Sequence, residues 1–387
     1  MARPYDVCIL GAGIVGRTMA LHLAAARLRV ALVSQPPSSA DSAHSDVRAY
    51  ALSPASKALL DAVRCWPDAR HATPVLAMDV RSFDGGREAA RVGFEAAAHN
   101  VAALNWIVDV PVLENLLSEA VRFQPNIALC NEAPPAALTV ISEGRASSTR
   151  ETVGVEFDVT PYHQTAIAAR VACAMPHAQV ARQWFSNGEV LALLPMGGVQ
   201  GQVCALVWSV KAERVQALQA LDPAEFCAAL QVASQGELGA LSLVGERKSW
   251  PLQSARAQRW CGHWVRNGLW GSWVLAGDAA HTVHPLAGQG LNLGLGDVAQ
   301  LVQVLRARPY WRSVDDIKLL RAYERSRKAA HALVGGSGDL LQQLFNQSQP
   351  AVQVLRDWGM RAFNRSATVK NWTANRAMGP VQKQETL

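Results

Sequence analysis

The fold is decided by residues 5–34, which read YDVCILGAGIVGRTMALHLAAARLRVALVS. Apolar runs over residues 6–10 and 29–34 predict two short strands, and the helical spacing of apolar residues over 14–26 predicts a helix between them. Two consecutive strands joined by a helix lie parallel in one sheet. The pattern therefore predicts an α/β fold that begins with a Rossmann-like unit.

The first turn of this unit has the pattern G-x-G-x-x-G. Its six residues are Gly11, Ala12, Gly13, Ile14, Val15 and Gly16. The first glycine permits the tight turn, the second lets the backbone approach a pyrophosphate, and the third lets helix and strand pack closely. Free N–H groups at the start of the helix would then bind the phosphates. The turn therefore predicts a dinucleotide site.

One feature of a dinucleotide site is missing. An acidic residue usually ends the second strand and binds the ribose hydroxyls. Here Ser34 and Gln35 occupy that place. We expect these weaker groups to substitute for the carboxylate, or the ribose to be bound less tightly.

The composition is that of a globular protein with room for two lobes, since the chain has 387 residues and half of them are hydrophobic. A formal net charge of +6 favours an anionic partner, such as a phosphate-bearing cofactor or a membrane surface. No dense basic block interleaved with aromatics is present, so we expect no nucleic-acid partner. Seven scattered cysteines without C-x-x-C are typical of free thiols in a reducing compartment. Without a signal peptide or a spanning segment, a cytoplasmic location is expected.

A second glycine-rich stretch, GDAAHTVHPLAGQGLNLGLGDVAQL, runs over residues 277–301. A strand is predicted before it over 273–276, and a helix from about Leu291 onward. His281 and His284 lie three residues apart, but the segment is loop-like and lacks a third ligand at metal spacing, so we predict no metal site. The absence of a G-x-S-x-G elbow argues against a serine hydrolase. Asp278, at the end of a strand, could instead accept hydrogen bonds from sugar-like hydroxyls.

This stretch resembles the second FAD fingerprint of the group A flavin monooxygenases. Further segments are similar to the ubiquinone-biosynthesis hydroxylases, a branch of the para-hydroxybenzoate-hydroxylase fold. These segments are DVRAYALSPASKALLDAVRCW (46–66), YHQTAIAARV (162–171), WFSNGEVLALLPM (184–196), ALVWSV (205–210), LLRAYERSRKAAH (319–331), DLLQQLF (339–345) and VLRDWGMRAFN (354–364). Each alone could be a core strand or a charged helix face. Together they extend the resemblance over nearly the full chain.

The resemblance implies that FAD is the cofactor and that a second set of residues contacts the flavin. This set consists of Arg48, Asp278, Pro285, Gly288, Gln289, Gly290, Leu291 and Asn292. Within it, Arg48, Pro285 and Gln289 are expected to position the flavin for catalysis. Backbone N–H groups near Gly290 would stabilise negative charge on the flavin. His284 could assist a proton transfer or be a satisfied loop histidine.

Two departures from the family pattern stand out. The middle motif A-D-G-x-x-S-x-x-R reads SEGRASSTR over residues 142–150, with Glu143 in place of the aspartate. The longer carboxylate alters the reach of a motif that serves FAD and the pyridine nucleotide in the family. The connector over 124–136 is also too short for most of the small β-meander that family members carry there. Its loss would change a partner surface without removing the flavin site.

The resemblance also implies two interleaved lobes, one that binds FAD and a mixed β-sheet lobe that binds substrate. The expected ranges are 1–70, 105–155 and 255–335 for the FAD-binding lobe, 71–104 and 156–254 for the substrate lobe, 336–378 for a helical C-terminal segment, and 379–387 for a disordered tail. The chain has no second complete G-x-G-x-x-G unit. Electrons would therefore come from NAD(P)H visiting the flavin transiently, or from a protein donor.

The activity implied by the resemblance is hydroxylation of a polyprenylated phenol in ubiquinone biosynthesis. Reduced FAD would form a flavin hydroperoxide with dioxygen and transfer its distal oxygen to the ring. Because such a substrate is insoluble, we expect access from the inner membrane surface or from proteins of the biosynthesis complex. Five of the twelve tryptophans lie within residues 250–273, where they suit an interfacial edge as well as a core. Two alternatives stay open: a hydroxylase of a small soluble aromatic, and a flavin-binding non-catalytic subunit of a quinone-biosynthesis complex.

Overall fold

A six-stranded sheet is built around the N-terminal strand–helix–strand unit. The structure is a computed structural model that describes residues 4–34, 47–84, 87–266, 268–283 and 289–346. The strands of this sheet are β1 (Tyr5–Leu10), β2 (Val30–Val33), β8 (Ile127–Cys130), β9 (Ala136–Ile141), β15 (Cys261–Arg266) and β16 (Leu269–Leu275). Their order is β15-β16-β9-β1-β2-β8, and every neighbouring pair is parallel except the β15–β16 hairpin. The predicted parallel unit is therefore the centre of the sheet.

Helices cover the six-stranded sheet. They are α1 (Ile14–Ala25), α3 (Val110–Arg122), α7 (Gln289–Arg306) and α8 (Ile317–Asn346). The consecutive β1 residues Val7, Cys8 and Ile9 are all fully buried. Since neighbouring residues of a strand point to opposite faces, both faces of the sheet at β1 are covered.

A second, larger sheet has eight strands. Its strands are β5 (Ala77–Asp84), β6 (Arg87–Glu95), β10 (Phe157–Cys173), β11 (Val180–Ser186), β12 (Glu189–Met196), β13 (Val203–Lys211), β14 (Leu241–Ala257) and β17 (His281–Thr282). Their order is β17-β14-β10-β13-β12-β11-β5-β6, with β11 and β5 parallel and the other pairs antiparallel. On one face, Trp184, Trp208 and Phe226 belong to a core shared with α5 (Ala212–Ala220) and α6 (Pro223–Ala233).

A three-stranded sheet lies against the eight-stranded sheet. It consists of β3 (Ala49–Leu52), β4 (Ala72–Val75) and β7 (Asn105–Asp109). Helix α2 (Pro54–Ala62) follows β3, and the short helix α4 (Ser148–Thr152) follows β9. Ala51 and Ile107 of this sheet pack on Ala181 and Ala205 of the larger one. Arg170 of β10 also donates two hydrogen bonds to Asp109, at 2.8 and 2.9 Å. The two sheets are therefore joined by apolar packing and by a bidentate ion pair.

These observations confirm the predicted α/β architecture with a Rossmann-like sheet and a separate mixed sheet. The segments 162–171 and 205–210 lie within β10 and β13, and 184–196 spans the β11–β12 hairpin. The short connector contributes the edge strand β8, parallel to β2. The ranges of the two lobes stay a prediction. Helix α8 continues across residue 336, where we expected a separate helical segment to begin, and residues 347–387 lie outside the described part of the chain.

The seven cysteines all fall in the described ranges and are free thiols, six of them buried. Within the same ranges, no helix has the length and apolarity needed to cross a bilayer. Among the clustered tryptophans, Trp260 and Trp273 are fully buried while Trp270 is 59% exposed. The tryptophans therefore serve both as core residues and as exposed surface.

Candidate functional site

A cleft of about 950 Å³ opens at the carboxyl ends of the parallel strands. The turns after β1, β2, β9 and β16 supply Gly11, Ser34, Glu143 and Asp278 to its lining. β1 has β2 on one side and β9 on the other, so the chain leaves β1 at a point where strand order reverses. Ligands of open α/β sheets bind at such a switch point. The two glycine-rich stretches, far apart in sequence, meet here.

The glycine turn after β1 is shaped to leave room for a ligand. Gly11 has a φ of +103°, and a Cβ there would lie 2.4 Å from the Ser142 carbonyl oxygen. A Cβ on Gly16 would lie 1.9 Å from the Gly11 carbonyl oxygen, so this glycine serves packing. A Cβ on Gly13 would meet nothing within 4 Å. Gly13 therefore faces an open cradle at the N-terminus of α1, which fits a pyrophosphate.

Three arginines line the cleft together with three acidic residues, Glu114, Glu143 and Asp278, and supply cations that can pair with a pyrophosphate. Arg17, Arg48 and Arg145 all line it. Arg48 forms an ion pair with Glu114 at 3.5 Å, and Arg17 donates to the Glu114 backbone oxygen at 3.3 Å. Helix α3, which carries Glu114, therefore holds two of these cations at the mouth of the cleft.

Asp278 lies where the sequence placed it, directly after the turn at Gly277, whose φ is +63°. Its side chain opens toward the cleft. Partial loss of water inside the cleft raises the pKa of the Asp278 carboxyl, and the charge of His281 opposes that rise. A carboxyl held here can accept hydrogen bonds from the hydroxyls of a bound cofactor.

The middle motif, residues 142–150, lines part of the cleft and orders the helix next to it. Glu143 accepts hydrogen bonds from Ser147 Oγ at 2.6 Å and from Thr149 N and Oγ1 at 3.1 and 2.8 Å. Its carboxylate therefore orders the start of α4. Arg150 is 4% exposed and donates to the backbone oxygen of Ala279 at 3.3 Å. The retained arginine of the motif thus holds the Asp278 turn in place.

The remaining predicted cofactor residues fall into three groups. Gly290 and Leu291, at the start of α7, line the cleft. Asn292 does not belong to that lining: its amide accepts from Ser53 N and Ser56 Oγ and donates to the Ala51 oxygen at 2.7 Å. It therefore joins α7 to β3 and α2. His284, Pro285, Gly288 and the side chain of Gln289 lie outside the described residues, so their roles stay predictions.

A smaller pocket of about 110 Å³ lies between the three-stranded and eight-stranded sheets. Six alanines line it, which are Ala49, Ala51, Ala168, Ala181, Ala192 and Ala205. Its volume is on the order of the ~150 Å³ cavity that holds one benzene molecule. Arg48, Tyr50 and Trp250 line both this pocket and the cleft. The pocket is therefore sized for an aromatic ring, and it adjoins the cofactor cleft.

Sequence reasoning missed several residues of this site. Tyr50 of β3 follows by two residues Arg48, which directly precedes the strand, and extended backbone places residues two apart on one face, so a signal was present. Glu114 and Trp250 come from distant segments without a local motif. Asp297, which accepts from the Gly277 N–H, and Arg327, which pairs with Asp297, were also missed.

Within the described ranges, which include His281 but not His284, no group of three His, Cys, Asp or Glu side chains is arranged to hold an ion. His281 is buried and donates from Nε2 to Asp297 at 2.7 Å. Its ring stacks on Trp260 with centroids 5.1 Å apart. His281 therefore has a role within the protein core.

The fold and the cleft define a Rossmann-like dinucleotide-binding protein with an apolar pocket beside the cofactor cleft. The FAD binding domain family matches residues 135–335, which is more than half of the chain. The chain belongs to this family, and its cofactor is FAD.

The similarity to ubiquinone-biosynthesis hydroxylases is confirmed by full-length relatives. The 3-demethoxyubiquinol 3-hydroxylase of Escherichia coli is 27% identical over 97% of this chain and 99% of its own length. Ubiquinone hydroxylase UbiL of Rhodospirillum rubrum is 29% identical over 97% of this chain and 90% of its own. Among solved structures, PqsL, a probable FAD-dependent monooxygenase from Pseudomonas aeruginosa, superposes with a TM-score of 0.73 at 20% identity, covering 92% of this chain and 99% of that one. The structural likeness shows the shared fold.

Proposed function

We propose that the chain is an FAD-dependent monooxygenase that hydroxylates the ring of a polyprenylated phenol in ubiquinone biosynthesis. The observation that carries this proposal is the ring-sized pocket beside the cofactor cleft, with Arg48, Tyr50 and Trp250 between them. A ring held there lies next to the place where the flavin is expected. The full-length similarity to the two ubiquinone hydroxylases supports the same assignment.

When bound and reduced, FAD supplies with dioxygen the oxygen atom that enters the ring. The protein's own residues bind, orient and exclude water. The cradle at Gly13 and the N-terminus of α1 bind the pyrophosphate, and Asp278 accepts from the sugar-like hydroxyls. Arg48 and the start of α7 at Gly290 would hold the flavin ring. Pro285, Gly288 and Gln289 complete this set in the proposal.

The chemistry of the pocket favours a phenol over a carboxylic acid. Among the residues that line it, Arg48 is the only one with a positive charge, and it is paired with Glu114. A small aromatic acid buried in this pocket would need a cation of its own, because an unpaired buried carboxylate is costly. The polar lining groups Asn105, Gln183 and Ser209 suit a hydroxyl. The small soluble aromatic is therefore not favoured.

Access to a prenylated substrate would be from a lipid surface. The β15–β16 hairpin carries Trp270, 59% exposed, and the α7–α8 connection carries Tyr310 and Trp311, 95% and 71% exposed. Ser272 Oγ donates to the Asp315 backbone oxygen at 2.7 Å, so the two segments lie side by side. Exposed aromatic residues and a net charge of +6 suit an anionic bilayer surface.

Sedimentation with vesicles tests this surface. The protein is expected to bind vesicles that contain anionic lipid, less at high salt, and Trp270→Ser with Trp311→Ser is expected to reduce binding. The buried Trp208→Phe serves as a control for tryptophan loss. Equal binding of the double variant and the wild type would exclude this face, and a protein partner would then deliver the substrate.

Anaerobic reduction of the bound flavin tests which donor supplies the electrons. NADH or NADPH is expected to bleach the flavin absorption, faster in the presence of the phenol. Bleaching by neither nucleotide would point to a protein donor instead.

The activity is tested by the quinone lipids of a strain that lacks this gene. An intermediate short of one ring oxygen should accumulate, and the wild-type gene should remove it while an Asp278→Ala gene should not. An unchanged lipid profile would refute the assignment to ubiquinone biosynthesis. Purified protein without a flavin spectrum that still rescues the strain would instead identify a non-catalytic subunit.

A further inference from the structure

A buried polar cluster lies beneath the turn that carries Asp278. Asp297 of α7 is fully buried, and its Oδ2 accepts from the Gly277 N–H at 2.8 Å and from His281 Nε2 at 2.7 Å. Its Oδ1 accepts from Arg327 Nε of α8 at 2.7 Å. The carboxylate thus joins three elements: α7, α8 and the turn between β16 and β17.

Each member of the cluster has a hydrogen-bond partner. Arg327 is 12% exposed and also donates to the Leu293 backbone oxygen at 3.0 Å. Burial raises the pKa of Asp297, but the nearby charge and hydrogen bond of His281, together with Arg327, outweigh that rise and lower it. Asp297 is therefore ionised, as a buried acceptor of three donors must be.

The hydrogen bond from the Gly277 N–H to Asp297 connects the cluster to the cofactor cleft. Gly277 directly precedes Asp278, and its amide is held by a charge-assisted hydrogen bond, which is stronger than a neutral one. We infer that Asp297 is a positioning residue for FAD binding: with Arg327 and His281 it fixes the Gly277 peptide so that Asp278 faces the cofactor. This inference rests on FAD being the cofactor and does not depend on the substrate.

The test compares FAD affinity with the stability of the apoprotein. In Asp297→Asn the side-chain amide can accept from Arg327, but its NH₂ group faces the Gly277 N–H, so two donors oppose each other. We expect the Kd for FAD to rise about tenfold, measured by flavin fluorescence well below the unfolding temperature. Loss of stability alone would not move this Kd, because nearly all of the protein is still folded there.

Arg327→Gln is the second variant and keeps the test decisive if Asp297→Asn does not fold. Glu324→Gln is the matched control one turn earlier on α8. Glu324 accepts from the Trp260 N–H at 3.0 Å and pairs with Lys328, so its loss loosens α8 without touching the turn. We expect both α8 variants to lower the apoprotein Tm and only Arg327→Gln to raise the Kd.

A double-mutant cycle with Asp278→Asn tests whether Asp297 affects FAD binding through the turn that carries Asp278. If Asp297 acts through the turn, Asp297→Asn should weaken FAD binding less in the Asp278→Asn background than in the wild type. Two outcomes would overturn the inference: full additivity of the two changes, or wild-type Kd values for Asp297→Asn and Arg327→Gln alongside a lowered Tm. Full additivity would mean that Asp297 affects FAD binding by a route other than Asp278, and wild-type Kd values with a lowered Tm would mean that the cluster serves folding alone.

Discussion

Gly13 and Gly16 lie three residues apart in one turn, yet an added methyl group would meet different surroundings at each. At Gly13 it would enter the open cradle, and at Gly16 it would collide with the Gly11 backbone. The same substitution therefore separates the ligand-binding role of the turn from its packing role.

Gly13→Ala is expected to leave the apoprotein Tm within about 2 °C of the wild type and to raise the Kd for FAD about tenfold or more, because the methyl group occupies the pyrophosphate site. Gly16→Ala should instead destabilise the apoprotein by about 1–3 kcal/mol or more, as overpacking does. Thermal unfolding and flavin titration of both variants check this. A Gly13→Ala protein that binds FAD normally would contradict the placement of the phosphates.

At Asp278, replacement by alanine removes the carboxylate that we propose binds the cofactor hydroxyls. Hydrogen bonds to a charged group contribute about 1.5–3 kcal/mol, so FAD affinity should fall about 10- to 100-fold. Flavin retention on gel filtration and fluorescence titration measure the change. Asp158→Ala, which removes an exposed aspartate outside the cleft lining, should bind FAD like the wild type. Equal losses in both variants would argue against a contact at Asp278.

Among the elements, helix α8 is fixed to the fold by an aromatic and polar contact zone. Tyr323 is fully buried and donates to the Leu275 backbone oxygen at 2.9 Å. Two turns further along the helix, the centroid of the His331 ring lies 5.0 Å from that of the His281 ring and 6.5 Å from that of the Trp260 ring. The helix therefore supports both the strand and the turn that lead to Asp278.

His331 makes this contact sensitive to acid. Burial, with the charge of His281 adding to it, lowers the pKa of His331 to about 4, against an ordinary value near 6.5. Above pH 6.5 the ring is neutral in folded and unfolded chains. Between pH 6.5 and 4 the unfolded chain takes up the proton first, so the free energy of unfolding falls as the pH falls, by about 3 kcal/mol in full.

His331→Leu should flatten this dependence while leaving the stability at pH 7 within about 1.5 kcal/mol of the wild type. Urea unfolding at pH 7, 5.5 and 4.5 measures it. His99→Leu, at a half-buried position in the short turn after β6, is the control and should keep the wild-type slope. The same slope in His331→Leu would show that His331 is protonated equally easily in the folded chain.

For the whole molecule, the decisive feature is that two sheets close over the ring-sized pocket. Alanines from β3, β10, β11, β12 and β13 face one another across it. Larger side chains at these positions would fill the space, since interiors are packed at the density of organic crystals. In the proposed function, substrate size is set where the sheets meet, whereas FAD binds at the carboxyl ends of the strands of the six-stranded sheet.

Ala192→Leu should fill the pocket and lower kcat/KM for the phenol at least tenfold, while FAD binding stays unchanged. Leu193→Met, the next residue of β12, points to the other face of the sheet and should leave both properties near the wild type. Steady-state turnover and flavin titration compare the two. Normal turnover in Ala192→Leu would place the ring elsewhere.

Local patterns in the sequence predicted the parts of the fold that depend on short-range periodicity. The first strand and helix begin and end within a residue of the expected positions, because apolar spacing and a glycine turn act over a few residues. The helix after Gly288 begins at Gln289, two residues before the expected start. The edge strand β8 was not expected, since a four-residue strand carries little periodic signal.

For the candidate site, the sequence by itself determined the two glycine turns, Asp278 and the family, because each is written in contiguous residues. Only the tertiary structure decided that Asp297 binds the Gly277 turn and pairs with Arg327, that Asn292 joins α7 to β3, and that Glu143 orders α4. It also decided the pocket, whose alanines come from five strands. The physical reason is that these contacts depend on the packing of distant segments, and an isolated aspartate, asparagine or alanine carries no local pattern that states its partner.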